Sequence, residues 1–116
     1  MELQTLSKRI ERVKRGLQAI GPMRPGSLSK QYSVCGKPGC QCADKKRPKK
    51  HGPYFQLSYS HKGKSTTQFV RPQFAAEVKL QLDNYKRFRA LTEKWVELSI
   101  TYSRLRLAEL KRNASK

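Results

Sequence analysis

With 116 residues, 36% of them hydrophobic, the chain has room for one modest core. Its 26 Lys and Arg stand against 8 Asp and Glu, a formal charge of +18, and such a surplus attracts polyanions because phosphate contacts release condensed counterions. No apolar run approaches the ~20 residues that cross a bilayer, and the N-terminal MELQTLSKRI lacks the apolar core of a secretory signal; the expectation is a cytoplasmic protein, with nucleic acid ahead of an anionic membrane as partner.

Leu3, Leu6, Ile10, Val13, Leu17 and Ile20 keep a three-four spacing with charged residues between them, which predicts an amphipathic helix over 1–21 ended by Gly21 and Pro22. Glu11 and Arg15 stand one turn apart, a favourable pair. Gly16 costs this helix up to ~1 kcal/mol relative to Ala and marks a spot where another backbone comes close. A cysteine-rich basic loop is expected over 22–53, with a short strand at 28–34 leading to Cys35.

Residues 54–61, YFQLSYSH, alternate. Phe55, Leu57 and Tyr59 fall on one face and Gln56, Ser58 and Ser60 on the other, the mark of a half-buried strand. Lys62 and Gly63 supply a tight turn, and 64–70 returns to complete a β-hairpin over 54–70. Pro72 suits a helix start, and no Gly or Pro follows it. A single helix over 72–112, roughly 60 Å long, is therefore predicted, with 111–116 fraying.

The second half of that helix repeats the spacing at Phe88, Leu91, Trp95, Leu98, Tyr102 and Leu105. Its seam matches the first helix in length, so the simplest use of both is an antiparallel pair within the chain, with Trp95 and Tyr102 in its core. Val78, Leu82 and Tyr85 are left to cover the hairpin or a second subunit. The fold class is α+β in a single domain, 1–116: two antiparallel amphipathic helices flanking a zinc-knuckle-like loop and a hairpin.

Cys35, Cys40 and Cys42 are spaced C-x4-C-x-C, and eight residues separate Cys42 from His51. Three thiolates and an imidazole satisfy tetrahedral zinc, and Gly36 and Gly39 let the loop bend so that its sulfurs converge. A closed Cys3His site of this kind is structural. The rival readings are three reduced thiols in a turn-rich loop, or iron–sulfur or redox chemistry, and His61 is a weaker candidate for the fourth ligand.

Lys45, Lys46, Arg47, Lys49 and Lys50 lie between the third cysteine and His51, where a metal would hold both ends of a basic run. Residues 24–64 carry ten Lys or Arg and one acid, Asp44, half of the chain's whole surplus. Lys37, Lys62 and Lys64 complete the expected phosphate-gripping set, with Tyr32 and Tyr54 as candidates to stack on unpaired bases. The bland reading of the run is a solvated charge cluster. Catalysis finds little support: seven of the eight acids are spread along the helices among basic residues, and there is no glycine-rich phosphate loop.

The combination MRPGSLSKQYSVCGKPGCQC, HGPYFQLSY and KGKS resembles a family of small bacterial and archaeal proteins known only as a domain of unknown function. The residues that carry the resemblance are Cys35, Gly36, Lys37, Gly39, Cys40, Cys42, His51, Gly52, Pro53, Tyr54, Gly63 and Lys64. The family brings no activity with it. Members encoded near mobile elements and transposases imply a DNA-linked, accessory role. The expected function is thus a non-enzymatic nucleic-acid-binding module with a structural zinc. The alternative is a helical interaction or oligomerisation module with an acidic partner, or a homo-oligomer formed through the helical seams.

Overall fold

The computed structural model describes residues 2–33, 38–41 and 49–115. Two compact units emerge, Met23–Asp83 and the pair of segments Met1–Pro22 and Asn84–Lys116.

The first unit is a three-stranded antiparallel sheet with one helical cover. Strand β1 (Ser27–Ser33) pairs with β2 (His51–His61), which pairs in turn with β3 (Lys64–Val70), so β2 is central. The β2–β3 ladder runs from Phe55 opposite Val70 to His61 opposite Lys64. Lys62 (φ 51°) and Gly63 (φ 78°) turn the chain between them, both in the left-handed region that matches a two-residue turn to the twist of its strands. Alternation then decides burial: Leu57 is fully buried, flanked by half-buried Phe55 and Tyr59. Val70 and Leu28 join them from the neighbouring strands.

Helix α2 (Ala75–Ala114) covers this face with Val78 and Leu82, one turn apart and both buried. Pro72 does not open α2 itself. It starts a 3-10 turn, Pro72–Phe74, which leads into the helix, a common way of tightening a helix entrance. The Arg24 N–H donates to the Gln81 carbonyl at 3.1 Å and ties the link before β1 to α2.

Strand β2 begins at His51, three residues before the alternating stretch, and the expected hairpin is the β2–β3 part of a three-stranded sheet. Gly52 and Pro53 disguise this start, because proline cannot donate to a ladder and both residues read as breakers. The β2–β3 ladder reaches only to Phe55, so Pro53 withholds no N–H from β3. On the other side the β1 register shifts between Gln31 and Ser33. Gly52 has φ 137°, and a Cβ there would stand 2.8 Å from the Gln31 carbonyl oxygen; only glycine fits this approach of the strands.

In the second unit, helix α1 (Leu3–Gln18) buries Leu6 and Val13, with Leu3, Ile10, Leu17 and Ile20 half-buried around them. It runs antiparallel to α2. A Cβ on Gly16 would lie 3.2 Å from a Leu91 methyl, the Lys14 ammonium sits 5.2 Å from the centre of the Trp95 ring, and Asn84 Nδ2 donates to the Pro22 carbonyl at 2.8 Å. As the first segment advances from 14 to 22, α2 therefore runs back from 95 to 84, and the two seams meet within the chain. Gly16 accommodates a Leu91 side chain, where a backbone was expected. Glu11 forms its ion pair with Lys14, at 3.5 Å, where Arg15 was expected; both spacings bring side chains together on a helix. No described helix is long and apolar enough to cross a membrane.

Candidate nucleic-acid interface

Because β2 starts at His51, that imidazole is held on a strand, and it meets Cys40. Cys40 Sγ and His51 Nε2 are 3.3 Å apart, and both residues are half-buried. The Lys49 N–H donates to the Gln41 carbonyl at 3.0 Å, which joins the chain on either side of residues 42–48. A thiolate and an imidazole at this separation can serve one tetrahedral ion. Cys35 and Cys42 lie outside the described residues, as do Lys37, Lys45, Lys46, Arg47 and Asp44. Among the described residues alone, no group of three or more metal-ligating side chains assembles. His61 closes the far end of β2, roughly 33 Å from His51 at ~3.3 Å per residue.

The same length divides the basic residues. Lys49 and Lys50 are exposed immediately before β2, whereas Lys62 and Lys64 are exposed at the turn after it. One hub was expected, and β2 separates its described members, Lys49 and Lys50 from Lys62 and Lys64, into two ends of the sheet. Between residues 23 and 76 the described chain holds no acid, while Arg24, Lys30, Lys49, Lys50, Lys62, Lys64 and Arg71 are all present.

Tyr32 and Tyr54 are exposed, and together with Gln31 and Phe69 they line one groove of about 420 Å³. The Lys30 ammonium lies 5.9 Å from the centre of the Tyr32 ring. Phe69 has no place among the residues expected from sequence, yet it is 72% exposed and borders the same groove. Counting the register across the Lys62–Gly63 turn would have found it, since Val70 opposite the inward Phe55 puts Phe69 opposite the outward Gln56.

A second exposed surface lies on α2. Val96, Ile100, Leu107 and Leu110 are all about half exposed or more, and a shallow groove of about 620 Å³ runs past Trp95, Val96, Ser99 and Ile100.

Residues 3–80, about two thirds of the chain, match the model of a domain of unknown function, DUF6788. The chain belongs to this family. No curated protein and no solved structure matches it. The DUF6788 span takes in α1, the whole sheet and the start of α2, so Cys40, His51 and the Tyr32–Tyr54–Phe69 groove all lie inside it.

Proposed function

We propose that this DUF6788 protein is a non-enzymatic nucleic-acid-binding module whose cysteine-rich loop is held by a structural zinc ion. The observation that carries the reading is the charge on the strands and links of the sheet unit: among the described residues between 23 and 76 seven are Lys or Arg and none is an acid, the unit's described acids Glu77 and Asp83 lying on α2. Phosphates approaching the strands and links meet a large excess of positive charge, with Asp44 the one acid between 23 and 76 in the full sequence. The 3.3 Å approach of Cys40 to His51 supports a shared ion, with Cys35 and Cys42 as the remaining ligands by their spacing in sequence. Phosphate contacts come from Lys49 and Lys50 and from Lys37, Lys45, Lys46 and Arg47 beside them in sequence; Lys62 and Lys64 extend the footprint to the other end of β2.

The test is a fluorescence-anisotropy titration with mixed-sequence DNA and RNA over a range of salt. Affinity should fall steeply with salt and vary little with sequence, because phosphate contacts carry no base information. Neutralising Lys45, Lys46, Arg47, Lys49 and Lys50 together should weaken binding and flatten the salt dependence. Equal weakening on neutralising Lys86, Arg87 and Arg89 would move the binding face to α2, and absence of binding to DNA and RNA at low ionic strength would overturn the reading.

A second reading, an oligomerisation module, is favoured by the exposed residues of α2. Val96, Ile100, Ser103, Leu107 and Leu110 follow a four-three spacing, a seam separate from the one that faces α1. The occupant this reading assigns is a second copy, antiparallel. Setting Ile100 against Leu110 of the other copy brings Glu97 of each near Lys111 of the other, whereas a parallel pair sets Arg106 beside Lys111. Sedimentation equilibrium at about 0.15 M salt, where the net charge is screened beyond ~8 Å, should show dimers. Glu97→Lys and Lys111→Glu should each weaken them, and the double exchange should restore them. A monomer at every concentration refutes this second reading.

A further inference from the structure

We infer that the outer face of the sheet is a stacking platform for unpaired bases, so that the ligand is single-stranded nucleic acid. The inference rests on the nucleic-acid reading above and narrows it. The register that turns Leu57 inward turns Tyr54, Gln56, Ser58 and Ser60 outward on β2. It sets Gln31 and Ser29 beside them on β1, and Phe69, Thr67 and Ser65 on β3. These outward positions carry no charge. Charge stands around them: Lys49 and Lys50 before β2, Lys62 and Lys64 at the turn and Arg71 after β3, with Lys30 on edge strand β1 at a position opposite Phe55.

At one end of this face the outward Tyr54 and Phe69 border a single groove together with Tyr32, which stands where the β1 register shifts; they are exposed by 44%, 72% and 52%. One exposed aromatic on a surface needs no explanation. Three around one opening, with a lysine ammonium over one ring and no acid on the unit's strands or links among the described residues, match what an unpaired strand presents: flat apolar bases joined by anionic phosphates. Toward the other end a second hollow of about 320 Å³ is bordered by, among others, Ser27, Ser58, Ser60, Ser65 and Thr67, hydroxyl residues at outward positions of the register. Hydroxyls there can donate to phosphate or sugar oxygens. A duplex cannot use the aromatic groove, because its base faces are already stacked on one another and only its edges and phosphates are open.

The experiment uses the full chain and fluorescein-labelled mixed-sequence probes of about 15 nucleotides, as single-stranded DNA, single-stranded RNA and duplex DNA; such a probe spans the ~4–16 nucleotides of single-strand sites. Single strands should bind at least tenfold more tightly than the duplex. Phe69→Ala should weaken single-strand binding between about 5-fold and 150-fold, the reach of base–aromatic stacking, and leave duplex binding and the melting temperature close to wild type. Phe69→Trp should retain the affinity, and Phe69→Leu, apolar without a ring, should not. Equal affinity for single strands and duplex, with Phe69→Ala silent on both, overturns the platform while leaving phosphate-based binding in place. Failure to bind any probe removes the nucleic-acid reading and the platform with it.

Discussion

Leu57→Ala and Phe69→Ala alter opposite faces of one small sheet, and their costs should differ several-fold. Leu57 is fully buried against Val70, Val78 and Leu82, with Leu28, Phe55 and Tyr59 around them. Truncation removes three carbons, ~2.4 kcal/mol at ~0.8 kcal/mol each. The cavity left in a rigid cluster raises the total to about 3 to 5 kcal/mol. Phe69 keeps 72% of its surface in water. The rest, out of roughly 200 Å² for the side chain, is ~55 Å², at most ~1.4 kcal/mol at ~25 cal/mol per Å². Since alanine retains part of that contact and the unfolded chain already buries some of it, the net cost falls below about 1 kcal/mol. Guanidinium unfolding followed by far-UV circular dichroism measures both. In thermal melts the shifts should be on the order of 10 °C or more for Leu57→Ala and under about 4 °C for Phe69→Ala. Comparable losses from the two variants would mean that the outer face is covered or that the register is wrong by one residue, which would exchange every side chain between faces.

Purified without chelator, the protein should carry about one zinc per chain by elemental analysis, and Cys40→Ser or His51→Ala should lose it together with stability, because structural zinc contributes directly to folding; metal-free wild type would refute this, and zinc held undiminished by His51→Ala would move the fourth ligand elsewhere. Leu6, 1% exposed in the helix pair, should cost about 2 to 5 kcal/mol when cut to Ala, and Trp95→Ala should also destabilise; if denaturant unfolding shows neither, the seam between α1 and α2 is wrong. Gly52→Ala should cost at least ~1 to 3 kcal/mol from its left-handed φ alone, and because the added Cβ would also stand 3.0 Å from the Tyr32 ring, single-strand binding should fall with it; a melting temperature equal to wild type would contradict the geometry.

Both helices, their antiparallel pairing and the hairpin were legible because their periods are unbroken. The three-four spacing of Leu6, Ile10, Val13 and Leu17 recurs at Leu91, Trp95, Leu98 and Tyr102, and the alternation of Phe55, Leu57 and Tyr59 marks a strand with one wet face. What escaped was local. Helix α1 ends at Gln18, ahead of the Gly21–Pro22 breakers, since a helix can fray before a residue forbids it. The first three residues of β2 contain glycine and proline, and nothing in their own pattern shows that β1 shifts register beside them while β3 has already ended.

The candidate site divides along the same line between what neighbours in sequence and what neighbours in space. Cys40 and His51 were paired from sequence on the expectation that zinc ligands converge over a short loop, and their side chains lie 3.3 Å apart. The basic residues carry no such demand. Lys50 and Lys62 are twelve positions apart, yet the strand between them is extended at ~3.3 Å per residue, so charges that look like one cluster stand at opposite ends of the sheet. Phe69 shows the converse. It is fifteen positions from Tyr54 and reads as an ordinary strand residue, but the two-residue turn folds β3 back beside β2 and brings both rings to one groove. A strand has two faces, and its sequence names the residues on each. Which face is solvent depends on where Val78 and Leu82 pack; by covering Leu57 they leave Tyr54 and Phe69 facing water, within a border of lysines.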